Sequence, residues 1–359
     1  MKIVFVAWRD LRFAKGRFAL MGTVVVLMTL LVGMLSGLTA GLGRESTSAI
    51  AELPADHIAF SAPAQGDDPS FTESAVAARD WQEWAAVPGV DRADPVGITT
   101  GKANAGDRAA AASVFGEQPG APVAPQEIAP GSAVLSAGAA EDLDARPGDE
   151  VTLNGQRLRV SGVAGDASFS HTPVIWTGLA DWQRLAPGGS GEHATVVALS
   201  TSGQVPLAAT DARLGTHTLS RSDSLAAIGS YSSENASLQT MQAFLFAIAA
   251  LVVGAFFTVW TIQRSRDVAV LKALGATTGY LLRDALGQAL ILLVGGTALG
   301  TAIAAGLGAL AAGTVPFVLD AGTVLLPAVV MIVLGALGAA LSLRRITAVD
   351  PLIALGASR

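Results

Sequence analysis

FALMGTVVVLMTLLVGMLSGLTAGLG, Phe18 to Gly43, carries no charge and is closed on both sides by basic residues, Arg17 and Arg44. The run exceeds the roughly 20 residues that a helix needs to cross a hydrocarbon core of about 30 Å. Three more uncharged runs follow, Asn235 to Gln263, Ala285 to Leu319 and Ala321 to Leu343. They account for a 359-residue chain that is 51% hydrophobic and only 14% charged. Four transmembrane α-helices are therefore predicted, with one α+β extracytoplasmic domain between the first and second. The first run is too long for the roughly 7–15 residue apolar core of a signal peptide, so it reads as a retained span.

Basic residues orient these spans, because Lys and Arg gather on the cytoplasmic side. Lys2, Arg9, Arg12, Lys15 and Arg17 precede the first span, Arg264, Arg266, Lys272 and Arg283 lie between the second and third, and Arg344, Arg345 and Arg359 follow the fourth. The segment from Arg44 to Glu234 holds 11 basic and 24 acidic residues. The predicted order is a cytoplasmic amphipathic N-terminal helix over 1–17, spans over 18–43, 239–263, 285–311 and 323–343, and an extracytoplasmic domain with stalks over 44–234. A cytoplasmic coupling segment over 264–284, a short outer loop over 312–322 and a cytoplasmic tail over 344–359 complete it. The chain reads as a multi-pass protein of the plasma membrane with both termini cytoplasmic and no nucleic-acid partner.

Cysteine is absent, which excludes disulfide staples, thiolate metal sites and covalent haem attachment. In the domain, GDEVTLNGQRLRVSGV, Gly148 to Val163, alternates apolar residues around Asn154-Gly155, a strong hairpin signal. Further strands are expected at His57 to Ser61, Ala133 to Leu135, Pro173 to Trp176 and Thr195 to Leu199. Helices are expected at Glu73 to Ala86, Ala137 to Leu143 and Leu179 to Leu185. Gln118 to Gly131, rich in Pro and Gly, reads as a loop. Catalysis finds no footing: His57, His171, His193 and His217 have no close metal spacing, and no GxSxG frames a nucleophile. GITTGK, Gly97 to Lys102, superficially suggests a phosphate loop, but it is one residue too short and ends in Ala103 where a magnesium-holding Ser or Thr belongs.

Between the second and third spans, RDVAVLKALGAT, Arg266 to Thr277, sets Asp267 at the start and Gly275 just past the end of a short helix. Val270, Leu271 and Leu274 form its apolar face, and Thr277 can cap the helix that follows. Such a helix either inserts into a groove on a partner or rests on lipid headgroups. Gly33, Gly37 and Gly41, four residues apart in the first span, make a smooth stripe for close backbone approach, in a dimer contact or against span two. Arg44 and Glu45 follow on or near the same face, with Met34 about three turns before Glu45. A glycine groove with a thioether along it and charges at its mouth suits a flat amphipathic ligand: Arg44 for a carboxylate, Glu45 or Met34 for a metal.

AWRDLRFAKGRFALMG before span one, RSRDVAVLKALGATTGYLLRD between spans two and three, and ITAVDPLIALGAS after span four together resemble the FtsX/MacB-type permeases of ABC transporters. Asp267 stands where that family usually has Glu, which keeps the charge. The resemblance implies a homodimer in the lipid bilayer, with a separate ABC ATPase docked on Asp267, Val270, Leu271, Leu274 and Gly275. It also implies that ATP acts only through that partner, closing the ATPases and moving the outer domains. A stand-alone permease of this length and architecture is similar to the haem-efflux permeases of Gram-positive bacteria. That subgroup implies haem as the transported substrate, with Met34, Arg44, Glu45, His171 and Tyr231 as candidate contacts and no covalent cofactor. Other members of the wider family imply alternatives: a transmembrane signalling module regulating an extracellular cell-wall hydrolase, or export of macrolide, peptide or lipoprotein.

Overall fold

The computed structural model describes residues 15–64, 66–185, 192–229, 231–263, 270–272, 274–311 and 314–347. Contacts divide it into two compact units, Leu42–Ala236 and the helices on either side of that segment in sequence. The first helix, α1, spans Lys15–Ala51. It runs two turns past Gly43, so Arg44 and Glu45 lie within a helix instead of ending one. The expected N-terminal helix over 1–17 lies almost wholly outside the described residues.

The inserted unit is mixed α and β. In chain order it contains β1 (His57–Ser61), β2 (Val76–Ala77), α2 (Ala78–Ala85), β3 (Val90–Ala105), β4 (Arg108–Glu117), β5 (Ser132–Leu135), α3 (Ala137–Leu143), β6 (Glu150–Leu153) and β7 (Gln156–Val163). It continues through β8 (Ser168–Phe169), β9 (Thr172–Gly178), α4 (Leu179–Leu185), β10 (His193–Ala194), β11 (Val196–Thr201), α5 (Leu207–Leu214), β12 (Thr216–Ser220) and α6 (Arg221–Ser224). The main sheet runs β12-β1-β11-β3-β4-β9-β5-β7-β6, and β6 pairs back onto β3 through Ala103 with Leu153 and Asn104 with Thr152. Six strands thus close into a ring. β3 permits this because its first part pairs with β11 and its last part with β6.

Ring closure removes exposed strand edges, and alternate residues of its strands converge on one core. Ala103, Val114, Leu135, Leu153, Val160 and Ile175 are among its members. A second core contains Ile58, Phe60, Val96, Phe115, Phe169 and Trp176, together with Ala49 and Ile50 of α1 and Leu53 just past its end. The end of α1 is therefore part of the domain's interior. β3 and β4, the longest hairpin, do not stand out in the sequence because Ala, Gly and Thr fill much of it. Gly97, in the stretch that mimicked a phosphate loop, lies inside β3. A Cβ there would meet the Trp182 ring at 2.2 Å, and one at Gly116 would meet Trp182 at 2.4 Å. These glycines seat a tryptophan.

Beyond the domain come α7 (Tyr231–Gln263), α8 (Thr278–Ala311) and α9 (Ala321–Thr347). With α1 they give four helices long and apolar enough to cross a membrane. Small residues bring them together: a Cβ on Gly300 would lie 2.7 Å from the Val26 carbonyl oxygen, and one on Gly338 would lie 3.3 Å from Gly254 Cα. Thr258 and Ser342 share a 2.9 Å hydrogen bond between α7 and α9. α7 starts at Tyr231 and α8 at Thr278, both earlier than their apolar runs, and Thr277 caps the start of α8.

Glu117, at the end of β4, is buried at 3% exposure, and one carboxylate oxygen accepts the Val123 and Ala124 amides at 3.1 and 2.8 Å. It anchors the Gln118–Gly131 loop. Burial pushes its pKa from 4.5 to about 7, against those two hydrogen bonds and with a small contribution from Asp94. The folded state therefore holds this proton where the unfolded chain has lost it, and stability falls as pH rises from about 4.5 to 7. Glu117→Gln should be nearly neutral at pH 4.5 and should stabilise the domain by about 1–3 kcal/mol at pH 8. Thermal melts of the full chain, followed by near-ultraviolet dichroism of its buried tryptophans, measure this; equal effects at both pH values would contradict it.

Candidate functional site

Three sets of residues carry the functional expectations, and each has its own local geometry. Val270 and Leu271 occupy the end of a helical turn and are exposed, and Leu274 is 79% exposed. Gly275 has φ +93°, its amide donates to the Lys272 carbonyl at 3.0 Å, and the Ala276 amide donates to the Leu271 carbonyl at 2.9 Å. This is a Schellman stop, which needs a residue without Cβ strain at that position. Thr277 accepts the Tyr280 amide at 3.3 Å and caps α8. An apolar edge is thus left facing outward between two helices. Asp267 lies outside the described residues.

The glycine stripe of α1 is occupied within the chain. A Cβ on Gly33 would touch Ala304 of α8 at 3.1 Å, one on Gly37 would enter the Phe317 ring at 2.2 Å, and one on Gly41 would strike the Pro316 carbonyl oxygen at 2.0 Å. Phe317 fills the space between Gly37 and Gly308, and the Val318 amide donates to the Gly37 carbonyl at 3.1 Å. The stripe is a helix-packing surface, and within the chain these contacts fall on α8 and the turn after it and not on span two. The sequence signal that could have shown this is the lone Phe317 in a turn otherwise short of large side chains.

Met34 lines an apolar recess of about 590 Å³ with Leu31, Leu38, Met241, Phe244 and Phe317. In the inserted domain, Arg44 pairs with Glu52 at 3.5 Å. His171 stands between two carboxylates: its Nε2 lies 2.8 Å from Glu234 and its Nδ1 lies 3.8 Å from Glu45. Tyr231 is half-buried against the core that holds the end of α1. The structure therefore brings Glu45 and His171 together and adds Glu234, which sequence reading missed because it is 63 residues from His171 and sits in no motif.

His171 sits on a costly backbone. Ser170 and His171 have φ of +50° and +61° at the two-residue turn between β8 and β9, the I′ arrangement that favours Asn-Gly. Non-glycine residues in that region cost about 1–3 kcal/mol each. Exposed ion pairs return only about 0–1 kcal/mol, too little to hold the turn. Hydrogen bonds to α1 supply the rest at about 0.5–1.5 kcal/mol each. The Ser170 amide donates to the Ser46 carbonyl at 3.0 Å, the His171 amide to the Glu45 carbonyl at 3.2 Å, and the Ser168 amide to Ser48 Oγ at 2.8 Å.

Two family models match the sequence. The FtsX-like permease C-terminal model covers residues 240–351 and the MacB-like periplasmic core domain model covers residues 18–217. Among curated relatives, a "Putative hemin transport system permease protein HrtB" of Staphylococcus haemolyticus is 28% identical, over 98% of each chain. A protein of the same name from Staphylococcus epidermidis is 25% identical, again over 98% of each. An "Uncharacterized ABC transporter permease" of Mycobacterium tuberculosis is 28% identical over 99% of each. Among solved structures, the periplasmic region of MacB from Actinobacillus actinomycetemcomitans aligns with a TM-score of 0.38 at 14% identity, covering 48% of this chain and 92% of its own. The extracellular domain of the transporter YknZ aligns at 0.36 and 15%, covering 46% and 99%.

The Phe317 contact gives a direct test of this packing. Gly37→Ala should destabilise the membrane unit by about 1–3 kcal/mol through overpacking. In Phe317→Ala chains the same change should cost much less, which a double-mutant cycle on detergent-solubilised protein reads as coupling. Equal costs in both backgrounds would contradict the wedge.

Proposed function

The chain belongs to the FtsX/MacB-type permeases of ABC transporters, and on that premise we propose that it is the membrane subunit of an efflux system that removes haem from the outer leaflet. The observation that carries the reading is the end-to-end match with relatives named as hemin transport permeases. The recess at Met34 supports it, since an apolar cavity of about 590 Å³ opening among membrane helices suits a flat macrocycle. A thioether there is a fit donor to haem iron. Arg44, Glu45, His171 and Tyr231 are the polar contacts of the same reading: the guanidinium for a propionate, the others for iron or the propionate edge.

Energy enters elsewhere. In this reading the permease works as a homodimer with both termini in the cytoplasm, and a separate ATPase seats on the edge made by Val270, Leu271 and Leu274. Those side chains are exposed and apolar and are held by a rigid Gly275 stop, which suits insertion into a protein groove. ATP-driven closure of the ATPase pair then moves the helices and the extracytoplasmic domain.

Deletion of the gene should make cells sensitive to haem at concentrations that parent cells tolerate, with macrolide sensitivity and cell separation unchanged. Chaining without haem sensitivity would favour regulation of a cell-wall hydrolase instead. For the coupling edge, Leu271→Asp with Leu274→Asp should abolish co-purification of the ATPase while leaving the chain in the membrane; undiminished co-purification would exclude docking there.

A further inference from the structure

We infer that the Ser170-His171 turn is the joint that ties the outer ends of α1 and α7 to the domain's strand ring, with His171 as a positioning residue that holds Glu45 and Glu234 on either side of one imidazole. This rests on the reading of the chain as a permease that works by moving its domain, and it is independent of what is exported.

Four observations converge on the turn. First, it is strained at two successive non-glycine positions, whereas the domain's other I′ turn, Asn154-Gly155 with φ of +43° and +86°, uses the residues that such a turn favours. The fold therefore has an unstrained solution and does not use it here. Strain kept at one place by surrounding bonds marks a position where the side chains matter more than the turn's own stability.

Second, backbone and side chains of the turn face both helices at once. The Ser168, Ser170 and His171 amides bond α1, and Ser48 Oγ returns a bond to the Ser168 carbonyl at 3.2 Å. The imidazole reaches Glu45 of α1 and Glu234 of α7. Among the described residues these two carboxylates are the charged groups recorded against the ring, and Arg44 is turned to Glu52. The two nitrogens face different helices, so the ring bridges α1 and α7.

Third, the turn is bolted to the ring behind it. Thr172 Oγ1 donates to the Phe169 carbonyl at 2.9 Å and accepts from Ser113 Oγ at 2.7 Å. Ser113 in turn meets Thr100 Oγ1 at 3.2 Å, which carries the chain of hydrogen bonds from β9 through β4 to β3. Fourth, β9 pairs with β4 on one side and β5 on the other, so it lies inside the ring and not at an edge. A displacement of either helix end is delivered to that internal strand.

The absence of cysteine allows spin labels to be placed without background. Labels at Ser232→Cys on α7 and Arg157→Cys on β7 report how firmly helix and ring are joined. In the full chain with its ATPase, the distance distribution should be narrow and the same with and without trapped nucleotide. Replacing the turn by Asn-Gly, as Ser170→Asn with His171→Gly, should keep or raise the domain's melting point, because the turn relaxes. The same change should broaden the distribution roughly twofold or more and make it depend on nucleotide. An unchanged distribution in a folded variant overturns the joint. If the Asn-Gly chain melts lower, Glu45→Gln with Glu234→Gln removes the bridge without touching the turn. It must give the same broadening, and a narrow distribution there also overturns the proposal. Failure of the wild-type chain to bind haem would sink the transport reading and leave this experiment's outcome untouched.

Discussion

Every backbone amide and carbonyl that enters hydrocarbon must find its partner inside the chain, and the rest of this structure follows from that constraint. It forces the four uncharged runs into continuous helices. It also means that the domain between the first two runs must begin and end on helices, since the chain leaves the membrane as α1 and returns as α7. The consequence is visible in the domain's core, where Ala49 and Ile50 of α1 lie in one cluster with Phe60 and Trp176. Within the membrane unit, apolar burial against lipid distinguishes one packing from another only weakly, so close approach decides. Gly37, Gly41 and Gly308 are the places where that approach is tightest.

The sequence exposed most of this through periodicity and punctuation. Uncharged length gave the spans, Asn154-Gly155 gave a hairpin, and Gly275 gave a helix stop, because each is a local property of a few neighbouring residues. The β3–β4 hairpin was hidden because its alternation is built from Ala, Gly and Thr, which bury well only once Trp182 lies across Gly97 and Gly116. Ring closure was hidden for a related reason: the pairing of Ala103 with Leu153 joins residues far apart in the chain. The glycine stripe reads as a contact face from its spacing, and within the chain α8 and the turn after it meet that face. Nothing in a spacing of four residues says what fills the groove, and Phe317 is nearly three hundred residues away.

Candidate site residues divide along the same line. Glu45 and His171 were legible as polar groups able to meet a ligand, and the fold places them against one another. Glu234 became visible only when α7 was seen to begin at Tyr231, before its apolar run. Arg44 and Glu45 looked like the end of a span and lie instead within a helix that continues to Ala51. The domain's acidity is also more structured than a charge total suggests, because Glu117 is buried and held by two amides while most other acids stay in solvent.

Haem recognition can be read from the purified chain itself, by titrating it with haem in lipid nanodiscs. A saturable shift of the Soret band is expected, weakened when Met34→Ala and Glu45→Ala are combined in a chain that remains folded. A wild-type chain that leaves the Soret band where lipid alone puts it would contradict the haem reading, and a shift unchanged by the double substitution would contradict the proposed contacts.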